Sequence, residues 1–211
     1  MLVAEGTNGM VDAYHHGDLR RALVEAALAV IDEDGVDALT LRGVARRAGV
    51  SHAAPYHHFA DLADLRAAVA AECFADLRDR MVRARAAGAS PDRQVRELGR
   101  SYIDYAVERP NRFRLMWRPE LRGPGAPGEV VALAGEESYR PLLAAVAAGQ
   151  HTRLFRAGEV PDLALFAWAT VHGFATLLVD GPLADTAADP ARLAAAAENV
   201  VELTLTGLLR H

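Results

Sequence analysis

The sequence predicts an all-α protein, with a small N-terminal unit of three helices followed by a larger helical domain. Three observations carry that expectation. Apolar residues recur at helical spacing along most of the chain. No stretch alternates polar and apolar residues as a half-buried strand would. Segments rich in proline and glycine separate the periodic stretches. A chain of 211 residues holds one large or two small domains and buries a substantial core.

Residues 1–14 have neither the apolar run nor the basic start of a signal peptide, so they are expected to form a flexible arm. His15 and His16 read as solvated residues. The three-helix unit spans 15–60. Its first helix is expected over Leu19–Ile31, with positions 19, 23, 26, 27 and 30 on one apolar face and Asp18 at the dipole-favoured end. Leu41, Val44, Ala45 and Ala48 then mark a short helix over 41–48. Thr40 offers that helix a capping oxygen, although Gly43 at the third position denies it a full capping box. Gly49 ends it, where a left-handed residue is needed. Ser51 is expected to cap a second short helix running through Tyr56 to Phe59.

Two short helices joined by a tight glycine turn meet the requirement of a helix-turn-helix. The second helix of such a unit can enter the major groove, with base contacts mainly from its first residues, the alternative being an ordinary αα-corner inside a helical enzyme. Arg42, Arg46 and Arg47 supply positive charge, and no Asp or Glu occurs from 38 to 60. The whole chain has a net charge of −5, so any nucleic-acid binding must be local. Asp32, Glu33, Asp34 and Asp37 crowd the far end of the first helix.

The second domain spans 61–211. A long helix over 61–87 has the stripe Leu62, Leu65, Val69, Cys73, Phe74, Leu77 and Met81, and links the two domains mechanically. Ser90-Pro91 opens the next helix, with Val95, Leu98, Tyr102, Ile103 and Val107 inward. Arg109-Pro110-Asn111 breaks it, and a short segment Arg112–Trp117 follows. Residues 122–128 form a loop of turn formers. Helices follow over 129–150, 161–180 and 189–209, separated by Gly158 to Pro161 and Gly181 to Pro190. Ala164–Val179 has sixteen residues without formal charge, short of the ~20 a bilayer needs, so no membrane span is expected.

Pro161–Asp180 is apolar all round, through Phe166, Trp168, Val171, Phe174, Leu177 and Leu178. Such a helix must be buried on all sides, and one natural solution is that part of it packs against another subunit. The last helix offers Leu193, Ala197, Val200, Val201, Thr204 and Leu208 at helical spacing. Two such helices from each chain would make an intersubunit four-helix bundle. The aromatic and aliphatic set Phe113, Leu115, Met116, Trp117, Leu143, Phe155, Phe166 and Trp168 is enough to line an apolar pocket, and equally serves as core filler. Tyr102 and His172 are the polar groups near it.

No Gly-rich phosphate loop, Gly-x-Ser-x-Gly elbow or His-Glu-x-x-His motif is present. No catalytic residue, metal or cofactor is therefore expected. The lone Cys73 leaves no internal disulfide and fits a cytoplasmic location.

The pattern Thr40-Leu41-x-x-Val44-Ala45-x-x-Ala48-Gly49-Val50-Ser51, followed by Tyr56-x-His58-Phe59, resembles the DNA-binding domain of TetR-type bacterial transcription regulators. The match extends through Leu19–Gly35 upstream and Asp61–Ala70 downstream. Trp168-Ala-Thr-Val-His172-Gly173 resembles the Trp-x-x-x-His-Gly signature of one C-terminal domain class in that family, over roughly 95–205. The resemblance implies a homodimeric repressor that binds a palindromic double-stranded operator and is released by a small, largely apolar effector. It places Thr40, Arg42, Tyr56 and His57 on phosphates, and Ser51, His52, Ala53 and Ala54 nearest the base edges. It places the effector among Phe74, Leu77, Met81, Tyr102, Phe113, Met116, Trp117, Leu143, Trp168 and His172. Two departures stand out. Leu62 occupies a place where the family usually has lysine, and Pro55 lies inside the recognition helix, where a 3₁₀-like turn is expected.

Overall fold

The computed structural model describes residues 8–122 and 128–210, with side chains from Leu19 onward. The chain runs through α1 (Asn8–Asp34), a 3₁₀ turn (Val36–Ala38), α2 (Leu41–Arg47), a second 3₁₀ turn (Ala54–His57) and α3 (Leu62–Ala87). It continues through α4 (Pro91–Glu108), α5 (Pro110–Met116), a third 3₁₀ turn (Pro119–Leu121) and α6 (Gly128–His151). It closes with α7 (Val160–Val179), α8 (Ala184–Ala188) and α9 (Pro190–Leu208). The protein is all-α. The one extended pairing among the described residues is an isolated bridge between Phe155 and Leu209.

The expected stripes are what the helices bury. Leu23, Ala27 and Ile31 of α1 meet Val36, Leu39, Val44 and Phe59 in the core of the N-terminal unit. On α3, Leu65, Val69, Cys73, Phe74, Leu77 and Met81 are all buried. Asp61 caps α3 through a carboxylate oxygen that accepts from Asp64 N at 2.9 Å. The Tyr105 hydroxyl of α4 donates to Cys73 O at 3.1 Å, fixing α4 on α3. The Cys73 thiol is pushed up to about 12 by burial, so it stays protonated and inert. Asp189 caps α9 by accepting from Ala191 N and Arg192 N at 3.0 and 3.2 Å.

Several expectations are corrected. Helix α1 begins at Asn8, so residues 8–14 are helical where an arm was expected, and Asp18 falls within the helix. Residues 1–7, the side chains of His15 and His16, and loop positions 123–127 lie outside the described residues. Helix α7 reaches 20 residues because Pro161 and Asp162 fit its first turn, so by length and composition it could cross a bilayer. It packs instead against α4, α6 and α9. Nor is it buried on all sides, since Phe166 and Leu177 face outward. Helix α8 forms inside the segment expected to be only a separator. Val201 points into its own core against Gly99, not toward a partner.

The two halves are joined by more than α3. Asn111 Nδ2 donates to Ile31 O at 3.0 Å. Arg112 grips Asp32 with two donors at 2.8 and 2.6 Å. Arg118 reaches Asp37 at 2.6 Å. Each contact starts on α5 or just beyond it and ends at the last turn of α1 or the turn that follows.

Candidate functional site

The N-terminal site is set by its caps and turns. Thr40 has extended backbone, and its Oγ1 accepts from Gly43 N at 3.0 Å, giving α2 its start. A Cβ at position 43 would come within 2.8 Å of that oxygen, so glycine there leaves the cap its room. Gly49 turns the chain at φ +70°, and Val50 N closes on Ala45 O at 3.0 Å.

The segment after Ser51 forms the 3₁₀ turn expected at Pro55 and does not extend to a helix through Phe59. Ala54–His57 is a single 3₁₀ turn, and no side chain caps it. Ser51 contributes through its backbone, its carbonyl accepting from Ala54 N at 3.0 Å. The cause is Pro55, whose ring removes one backbone donor and favours the tight turn. Pro55 and Phe59 are buried, anchoring the turn from beneath. Thr40, Arg42, Ser51, His52, Ala53, Tyr56 and His57 stand exposed, while Ala54 is half-buried. Arg20 lies 5.2 Å over the Phe59 ring and ties α1 to the end of the turn.

The expected charge is also revised. Arg47 is paired with Glu33 through two hydrogen bonds, one of them at 2.6 Å. That contact holds the Glu33 carboxyl below its usual range. Arg42 and Arg46 remain exposed, with no carboxylate in ion-pair reach among the described residues.

The second site is a cavity of about 630 Å³ enclosed by α3, α4, α5, α6, α7 and α9. Phe74, Leu77 and Met81 of α3 line it, with Tyr102 of α4, Met116 of α5, Trp117 just after it and Trp168 of α7. Phe113, Leu143 and His172 do not. Phe113 packs edge-on against Tyr102 at 6.0 Å, behind the wall. On α6 it is Leu142, not Leu143, that turns inward. His172 follows the wall residue Val171, and one helical step turns it away from the cavity.

His172 is a support. Its Nδ1 shares a hydrogen bond of 2.9 Å with the Tyr102 hydroxyl, and its ring stacks on Trp168 at 5.2 Å and lies 4.6 Å from Trp117. Burial, reinforced by the charge of Arg122, lowers its affinity for a proton. Burial likewise pushes the Tyr102 phenol well above its usual range, so both groups are neutral near pH 7.

Sequence reasoning missed the wall given by α6. Val131, Gly135, Ser138 and Leu142 recur at helical spacing and face inward, a stripe legible in the sequence. It also missed Arg122, which sits inside a run of turn formers. Phe155 lies elsewhere, over Gly149, where a Cβ would come within 2.0 Å of its ring.

A third surface runs along the outside of α7 and α9. Phe166 is 45% exposed, Leu177 44% and Leu203 62%. Gly173, between the first two, has open space where a side chain would be.

The chain is similar to known proteins along most of its length. A family model described as "Bacterial regulatory proteins, tetR family" matches residues 23–69. A second, described as "Tetracyclin repressor-like, C-terminal domain", matches residues 95–201. An HTH-type transcriptional regulator of Mycobacterium tuberculosis is 30% identical over 174 residues, 81% of this chain and 74% of that protein. A solved structure of a protein with unknown function from Rhodococcus sp. RHA1 superposes with a TM-score of 0.79 at 33% identity, covering 93% of this chain and 98% of that one. The transcriptional regulator FadR from Bacillus subtilis, solved in complex with stearoyl-CoA, has a TM-score of 0.70 at 18% identity, covering 89% and 98%. At that identity the likeness is one of fold.

Proposed function

This chain belongs to the tetR family of bacterial regulatory proteins, and we propose that it acts as a cytoplasmic homodimeric repressor released by a small, largely apolar ligand. As a family member it is a DNA-binding transcriptional regulator and not an enzyme. One observation carries the proposal for the operator. Ser51, His52, Ala53, Tyr56 and His57 are all exposed along one short, acid-free segment, 51–57, that buried Pro55 and Phe59 hold from beneath. In this reading Thr40, Arg42, Tyr56 and His57 contact phosphates, and Ser51 to Ala54 lie nearest the base edges.

The exposed apolar residues Phe166, Leu177 and Leu203 support pairing of α7 and α9 with their copies in a partner. A ligand alters operator affinity only by binding two forms of the dimer unequally. The cavity is placed for that, because its wall residues Met116 and Trp117 lie between Arg112 and Arg118, which hold the N-terminal unit. The apolar lining, and stearoyl-CoA bound to FadR in the same fold, support an apolar ligand class.

Genome-wide binding-site selection with purified protein tests this. A palindrome is expected, and Leu177→Glu is expected to leave a folded monomer that no longer retains it, as read by sedimentation. Tyr56→Ala should weaken all duplexes about equally, whereas His52→Ala should change base preference. Unchanged affinity of Tyr56→Ala on every duplex overturns the contact assignment.

A further inference from the structure

We propose that the cavity binds an amphiphile bearing one carboxylate, its apolar tail inside and its head group held at the mouth by Arg122. This rests on the ligand reading above and names the class of molecule.

The lining is mostly apolar, with a few hydroxyls, and its charged residues are Arg122 and Glu136. Both are exposed, and they make no ion pair with each other. The Arg122 guanidinium carbon lies 5.1 Å from the centroid of the Trp117 indole, so the side chain is planted over a wall residue. Among the described residues no carboxylate pairs with it. Its neighbours Arg112, Arg114 and Arg118 are each tied to one.

The guanidinium planted on this indole is thus a charged donor at the cavity with no acceptor paired to it. A carboxylate supplies that acceptor and matches the planar fork of arginine. A cationic ligand fares badly there, because the indole face that would attract it already carries Arg122. An uncharged ligand leaves the guanidinium without a counter-charge.

The chain contains two tryptophans, Trp117 and Trp168, and both line the cavity, so intrinsic fluorescence reports occupancy directly. The full-length protein would be titrated with laurate, 1-dodecanol and dodecyltrimethylammonium, each below its aggregation concentration. Laurate is expected to bind tightest. Arg122→Gln should weaken laurate by about tenfold, the size of one charge-assisted hydrogen bond, and leave 1-dodecanol unchanged. If 1-dodecanol or the cation binds as tightly as laurate, or if the preference for laurate survives Arg122→Gln, the inference is overturned. If none of the three changes the fluorescence while calorimetry also shows no heat of binding, the apolar-ligand reading itself fails, and this inference with it.

Discussion

At the N-terminal end Ser51, His52, Ala53, Tyr56 and His57 stand in solvent on a turn fixed from below, whereas Tyr102, Trp117 and Trp168 face inward around a cavity built from six helices. The first region works by presenting side chains, so its core must be small and stiff. Phe59, Pro55, Val44 and Leu39 are packed to that end. The second works by leaving space, so its core gives up contacts that a filled interior would have made. A molecule that fills the space should therefore stabilise the second region more than the first. Stiffness beneath an exposed surface and room within a core are opposite demands, and the chain meets them at opposite ends of α3.

The strongest way to break this contrast is Phe59→Ala. Truncating a buried phenylalanine costs about 3–5 kcal/mol, here in the small core beneath the recognition turn. Circular dichroism should show early loss of part of the helical signal, while tryptophan fluorescence melts nearly as before. Coincident shifts by both probes would mean that the two regions unfold as one unit.

Next in size is Thr40→Ala, which removes the bond to Gly43 N. The expected loss is about 1 kcal/mol, visible as a lower thermal midpoint and weaker operator binding, with laurate affinity unmoved. A change in laurate affinity would show that the cap acts beyond its own helix.

The smallest effect is a pH slope from the other end. His172 takes up a proton less readily in the folded protein than its ordinary value of 6.5. The unfolded chain therefore gains the proton first as pH falls. Stability that is complete above that value is lost as pH drops below it toward the lower folded value. His172→Gln should flatten this part of the stability curve between pH 7.5 and 5, as read by denaturant melts. An equal slope in both proteins would assign the loss to other groups.

The N-terminal region was the more legible in the sequence, because its signals are local. Thr40, Gly43 and Gly49 act within a few residues of themselves, and Pro55 announces the tight turn it produces. Ser51 was misjudged because a residue four positions before a proline was treated as an ordinary cap. The charge of Arg47 was misjudged because its partner, Glu33, is brought near only by the fold. The cavity was legible as a composition and not as a shape. Phe74, Leu77, Met81 and Trp168 face it, yet Leu142 and Leu143 are neighbours in sequence and only the rotation of α6 separates wall from backing. His172 shows the same limit: the resemblance placed it among the ligand contacts, and its hydrogen bond to Tyr102 gives it the supporting place that a lone histidine on an apolar helix usually has.

Helix α3 is unbroken for 26 residues, about 39 Å at about 1.5 Å per residue. One end begins just after the recognition turn, and Phe74, Leu77 and Met81 touch the cavity midway along it and beyond. Treated as a stiff rod, it converts angle into distance. A tilt of about 5° about one end carries the other roughly 3 Å, close to the ~3.4 Å spacing between successive bases on one DNA strand. If the proposed ligand tilts this rod, a repacking of a few cavity side chains becomes a displacement of the turn at its other end, on the scale of one base step.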